Sequence, residues 1–356
     1  MTCTNQARSG QPVGVIQTAS ETSRRNQSAA GTPRTRRDRA STVWRDVEDR
    51  AAPRDGVVSR TELRELGVTR AAVRNRVERG HWRLHGSQTV ATHRLPLTET
   101  AHGWRAIWET GTRIAALDGA TALRASGLTG FTDDTIHVSI PHGSDPGHVP
   151  GVTLHRVVCR PEGHLLDVGV PRTRPAIAAV RAAQWARSDR QAALLLVLGV
   201  QQRLMTSDQL RDAARTVRGR TRRALIPLLV QDICAGAQSL GEIDFAALCR
   251  VRGIPEPTRQ SVRQGPRGRV YLDVEWPEIG LVVEIDGAGH RFGLAVTDDN
   301  LRQNSLVIDG RWVLRIDVIG LRIEEDAFME QVLQLHRQLS GSPSPVRGDI
   351  RRPGAR

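Results

Sequence analysis

The chain of 356 residues contains no lysine, so all 51 of its basic residues are arginine. No step that needs a lysine amine is open to it. Cysteine is scarce. Cys3, Cys159, Cys234 and Cys249 are scattered, with no CxxC spacing. That argues against a disulfide framework or a cysteine zinc site and fits a reducing cytoplasm. Long apolar runs are missing too. The longest, Ala192–Val200, is far shorter than the ~20 residues of a membrane-spanning helix. Residues 1–20 lack the apolar centre of a signal peptide. The expectation is a cytoplasmic protein without a membrane segment.

What is present is positive charge, a formal +13. Much of it is terminal. Residues 1–40 hold seven Arg against Glu21 and Asp38, and residues 341–356 hold four Arg against Asp349. Both segments are polar and without periodicity, as disordered tails are. They serve either as solubilising ends or as non-specific nucleic-acid contacts. Arginine suits phosphate because its planar fork binds bidentately. A chain of this length holds two or three domains.

Residues 41–95 contain a compact pattern. Ser59 with Glu62 three residues on is a capping box, and Gly67 is a stop signal. Thr69 caps a second helix whose Ala72, Val73 and Val77 share one face, with Arg70, Arg74, Arg76 and Arg79 on the others. His81–Gly86, containing Arg83, predicts a short hairpin. Helix, turn, basic helix and hairpin is the plan of a winged helix-turn-helix, whose second helix enters the DNA major groove. A small helical adaptor with a solvated arginine face is the alternative.

Residues 96–187 alternate helix and strand signals. Helices are expected over Trp104–Leu117 and Ala120–Ser126, and strands over Thr135–Ile140 and Val152–Val157. His137, His142, His148 and His155 fit no standard metal spacing and read as surface or strand histidines. Residues 188–236 read as a helical connector capped by Ser188 and by Thr206 or Ser207. Its Arg211, Arg215, Arg218, Arg220, Arg222 and Arg223 either grip a phosphate backbone or solvate a linker helix.

Residues 237–340 carry the sharpest pattern. Val270–Trp276 and Leu281–Asp286 predict two strands joined by a turn at Trp276–Gly280. Side chains alternate along a strand, so Asp273 and Glu275 share one face, as do Glu284 and Asp286. A symmetric turn sets Asp273 opposite Glu284. Opposed like charges repel, and a hard divalent cation relieves the repulsion. Bland alternatives stand beside this. Glu242 sits where a capping-box glutamate reaches back to Ser239. For Glu275 the bland alternative is a water-facing position on an exposed sheet face. Asp299 and Arg302 are i,i+3 neighbours of a surface pair.

Two resemblances follow from these residues. Gly56–Leu63, the Leu66–Thr69 turn and Arg79–Leu84 resemble the N-terminal domain of AbiEi-type antitoxins, repressor partners in type IV toxin–antitoxin systems. Ala101–Val157 looks like the middle of such proteins. The second resemblance rests on Ser239 with Glu242, Asp273 with Trp276 and Pro277, Val283–Gly287, His290, Asp299 with Arg302, and Trp312–Arg315. In combination they resemble the Vsr-like branch of the PD-(D/E)XK nuclease superfamily. That resemblance implies Asp273 and Glu284 as metal ligands, Glu242 and Asp286 as further acidic members, and His290 in proton transfer. It also implies Arg302 near a phosphate, with Asp299 and Arg315 beside the site. Asp286 stands where the superfamily has its lysine, a departure that shifts weight to His290.

The expected fold class is multidomain α/β. Its parts are a winged helix-turn-helix at 41–95, a mixed α/β region at 96–187, the connector at 188–236, and a restriction-endonuclease-like α/β domain with a mixed central sheet at 237–340. The expected function is Mg²⁺- or Mn²⁺-dependent cleavage of DNA. Arg70, Arg74, Arg76 and Arg83 would contact DNA, and a cognate toxin is a possible second partner. The alternative is a non-enzymatic, antitoxin-like regulator that retains a nuclease-like scaffold.

Overall fold

The computed structural model describes residues 36–112, 114–158, 160, 163–235, 243–264, 270–286 and 312–341. Among these the chain is mixed α/β with three open sheets. No described helix is long and apolar enough to cross a membrane.

The first unit comprises α1 (Arg36–Ala51), β1 (Val57–Ser59), α2 (Arg60–Glu65), α3 (Arg70–Glu78), β2 (Arg83–Leu84) and β3 (Thr89–Ala91). Helix α1 begins inside the segment read as a tail. It is mostly charged, but Val43, Trp44, Val47 and Ala51 fall on one helical face and pack on Leu63, Val73, Trp82 and Val90. Helices α2 and α3 start at their expected caps, Ser59 and Thr69. Gly67 takes a left-handed φ of 80° that stops α2 without strain. The hairpin reaches further than His81–Gly86, because β3 pairs with both β2 and β1 in an antiparallel sheet of order β1-β3-β2. β3 shows no polar alternation because all three of its residues are buried.

The Ser59 capping box is complete. Ser59 Oγ accepts from the Glu62 amide at 3.2 Å, and the Ser59 amide donates to Glu62 Oε2 at 3.1 Å. Arg54 adds an ion pair at 2.5 Å. Burial pushes the Glu62 carboxyl up, but the Arg54 and Ser59 donors outweigh it and hold it below its ordinary value. A lowered folded-state pKa contributes stability above the unfolded value near 4.5, and that stability fades as pH falls through the folded value. Glu62→Gln should therefore cost about 1 kcal/mol at pH 7. In melts from pH 7 to pH 3 the variant and wild type should converge at the acid end. Parallel curves would refute this.

The second unit is built on α4 (Glu99–Glu109), β4 (Ala116–Leu117), α5 (Gly119–Arg124), β5 (Ile136–Pro141), β6 (Val152–Val157), β7 (Leu165–Leu166) and β8 (Arg172–Thr173). Its mixed sheet has the order β6-β5-β4-β8-β7. The helix expected over Trp104–Leu117 instead starts after its Thr98 cap and stops at Glu109. Gly111 turns left-handed, and Ala116–Leu117 are drawn into the sheet opposite Ser139 and Val138. Helices α6 (Pro175–Trp185), α7 (Asp189–Gln201), α8 (Ser207–Thr216) and α9 (Leu225–Ala235) follow. The last three, read as a connector, share one apolar core with this sheet through Leu195, Leu210 and Leu229.

The third unit contains α10 (Phe245–Val251), β9 (Arg259–Gln264), β10 (Val270–Trp276), β11 (Leu281–Asp286), β12 (Trp312–Asp317), α11 (Val318–Ile323) and α12 (Glu325–Gly341). Its sheet runs β12-β11-β10-β9, with β11 and β12 parallel and the other pairs antiparallel. Leu272, Val274, Trp276, Leu281, Val283 and Ile285 pack in one core with Phe245, Met329 and Val332 of α10 and α12. Helix α11 meets α9 through Arg322 and the buried Asp232, 2.9 Å apart.

Candidate functional site: an acidic sheet face

The sequence alternates apolar and acidic residues along β10 and β11, and the sheet separates them. One face forms the core with α10 and α12. The other carries Asp273, Glu275, Glu284 and Asp286, which are only 4, 6, 2 and 9 % exposed. Asp273 is in direct register with Glu284. The tight turn Trp276–Gly280 sets that register, with Gly280 in the left-handed region at φ 68°. Glu275 is buried, which removes the alternative of a water-facing position. Four carboxylates removed from water on one sheet face are costly without compensating charge or hydrogen bonds.

A cation stands at the end of this row. Parallel pairing of β11 and β12 puts Arg315 level with Glu284, and Arg315 Nε lies 3.3 Å from Glu284 Oε2. Across the sheet the row reads Ser261, Asp273, Glu284, Arg315. The sequence motif included Arg315 without giving it this contact. Only the parallel neighbour strand supplies it.

Glu242, His290, Asp299 and Arg302 lie outside the described residues. Among the described residues no three His, Cys, Asp or Glu side chains are grouped to hold a metal ion. The Asp273 and Glu284 carboxylates are hard oxygen donors of the kind Mg²⁺ and Mn²⁺ take, and their direct register suits a shared ion.

No family model and no curated protein matches the chain. The residues themselves therefore carry the functional argument.

The basic helix forms a second candidate surface. Arg70, Arg74, Arg79 and Arg83 are exposed, on α3, at its C-cap and on the hairpin after it. Arg76, expected to reach DNA with them, is instead turned onto the core. Its guanidinium sits 4.3 Å from the Trp44 ring centre and 5.9 Å from that of Trp82. Those rings meet edge-on at 5.7 Å. The sequence concealed this partner because Trp44 lies on α1, in a stretch where the charged residues mask the helical pattern.

The hairpin turn is anchored from below. Glu109, at the end of α4, accepts hydrogen bonds from the amides of Ser87, Gln88 and Thr89 at 2.8–2.9 Å and from the Ser87 and Thr89 hydroxyls. A Cβ on Gly86 would lie 2.4 Å from the Glu109 carboxyl carbon, so only glycine fits. Burial pushes this carboxyl up, and the five donors more than reverse it, leaving it below its ordinary value.

Proposed function

We propose that the chain is a metal-dependent DNA endonuclease whose third unit is a Vsr-like, restriction-endonuclease-like domain and whose first unit is a winged helix-turn-helix. The observation that carries this reading is the direct register of two buried carboxylates, Asp273 and Glu284, with Arg315 beside the second. Asp273 and Glu284 would hold Mg²⁺ or Mn²⁺. When bound, the ion supplies polarisation of a phosphodiester and activation of water. Arg315 holds the Glu284 carboxylate and offsets part of the charge on the acidic row. It thereby supplies positive charge beside an acidic site that has no lysine. Calorimetry with Mn²⁺ and nicking of supercoiled DNA with Mg²⁺ test the reading together. Neither metal binding nor nicking by wild type would overturn it.

The first unit would bring the DNA. Its order β1, α2, α3, β2, β3 with a three-stranded antiparallel sheet supports a winged helix, and α3 presents Arg70 and Arg74 one turn apart on its exposed side. Arg70→Ala with Arg74→Ala should lower the salt slope of DNA binding by about 2, one for each phosphate that is no longer neutralised. Arg76→Ala should leave the slope unchanged. It should instead lower thermal stability by about 1 kcal/mol, because no cation then covers the indole face. Fluorescence anisotropy across a salt series separates the two variants. An unchanged slope in the double variant would reject α3 as the reading helix.

A second reading is an AbiEi-antitoxin-like regulator, with a cognate toxin as its protein partner. The Glu284–Arg315 pair favours it, because a resident cation offsets that carboxylate without a metal ion. In that case DNA binds and Mn²⁺ does not.

A further inference from the structure

Helix α11 belongs to two cores. Val318 and Leu321 are buried in the core of the third unit. Ile323 packs instead on the core of the second unit, and Ile319 packs on both. The same helix carries Arg322, whose Nε lies 2.9 Å from Asp232 Oδ2 on α9. Asp232 is 1 % exposed, and its other oxygen, Oδ1, is buried with no hydrogen-bond partner. Arg322 thus compensates this carboxylate, and removing it strands a buried anion. Helix α9 is itself fixed in the second core by Ile226, Leu229 and Val230.

What α11 holds in turn is β12. The strand ends at Asp317 and the helix starts at Val318, so no loop separates them. Among the described residues β12 is an edge strand, paired with β11 alone. Its ladder is parallel, the less stable kind of pairing, and no tight turn sets its register. That register places Arg315 level with Glu284, with Nε 3.3 Å from Glu284 Oε2. A slip of one residue would turn Arg315 to the other face of the sheet and take the cation away from the acidic row. Anchoring α11 on both cores opposes such a slip.

We propose that Asp232 and Arg322 are positioning residues for the acidic site. Through α11 they tie β12 to the second unit and so keep Arg315 on Glu284. The inference rests on the reading of Asp273 and Glu284 as the metal site. It gives the second unit a task in that reaction, which is to fix the geometry of the carboxylate pair from outside the third unit.

The test is amide hydrogen exchange of the full chain without metal, resolved by peptide. In Arg322→Gln the amides of β12 should exchange at least about tenfold faster than in wild type, while β9 and β10 keep their wild-type rates. Should Arg322→Gln fail to fold, Asp232→Asn removes the buried charge itself and lets the half-buried Arg322 turn to water, and the same change in β12 is expected. A purely local role would speed exchange in α9 and α11 alone. Glu99→Gln, which breaks the ion pair with Arg124 elsewhere in the second unit, should leave β12 as in wild type. In nicking of supercoiled DNA with Mg²⁺, kcat of the folded variants should fall by about tenfold or more, the loss usual for groups outside a metal's ligands. KM for DNA should not change, because the proposed DNA contacts lie on the first unit. Wild-type exchange of β12 in both Arg322→Gln and Asp232→Asn overturns the proposal. So does an equal acceleration in Glu99→Gln, or a kcat that stays at the wild-type value. If wild type does not nick, yet β12 loosens in Arg322→Gln and Asp232→Asn alone, the nuclease reading ends and the hold of the second unit on β12 and Arg315 is supported.

Discussion

Asp273→Ala combined with Glu284→Ala should leave supercoiled DNA intact under Mg²⁺ or Mn²⁺ conditions in which wild type nicks it. Changes to groups one layer outside a metal's ligands cost 10–100-fold in affinity or activity, so losing both carboxylates should cost more than about 100-fold. The double variant also removes the Glu284 partner of Arg315. A milder companion separates chemistry from folding. Asp273→Asn keeps the side-chain shape and leaves the Glu284–Arg315 pair in place. It should fold, bind Mn²⁺ far more weakly and nick poorly. Nicking equal to wild type by either folded variant would end the assignment of these carboxylates.

The largest effect on stability is expected at Asp118 and Arg181. Their side chains are 0 and 7 % exposed and 2.5 Å apart. Removing one partner of a buried ion pair leaves an uncompensated charge, at a cost of about 3–5 kcal/mol. For a unit of this size that is a drop of roughly 10 °C in melting temperature. Arg181→Met should show it, and Asp118→Asn should too. Replacing both partners with apolar residues should recover part of the loss, because neither charge is then stranded. Recovery should be incomplete, since Asp118 also caps α5 through the Gly119 amide. Gly119 cannot take part in any repair. It sits at φ 54°, and a Cβ there would lie 2.9 Å from the Trp185 ring. Thermal melts of the single and double variants decide the matter. A single variant that melts within about 2 °C of wild type would show that the pair is not coupled to the core.

Local chemistry was legible wherever a few adjacent residues determine it. Ser59 and Glu62 form the box their spacing announces, and Thr69 and Ser188 cap the helices they precede. The strands β10 and β11 have the bounds that alternation predicts. Local reading fails where distant residues compete. Ala116 and Leu117 look like the end of a helix until β5 is there to pair with them. Residues 36–40 look like the end of a charged tail, yet they start α1, whose Val43, Trp44, Val47 and Ala51 pack against Trp82 and Val90. Arg76 looks like its exposed neighbours on α3 until Trp44 lies over it.

The acidic row divides the same way. Period-two alternation and a short symmetric turn are local properties, so the sequence by itself determined that Asp273 and Glu284 face the same side and stand opposite each other. It also determined the absence of lysine, and so the need for some other cation. That the four carboxylates are buried, that Arg315 is the cation beside Glu284, and that Asp118 pairs with Arg181 of α6 were decided only by tertiary structure. Each depends on pairing or packing between segments far apart in the chain. In a parallel pair such as β11 and β12, the register is set by what packs on the two faces of the sheet and by no local turn.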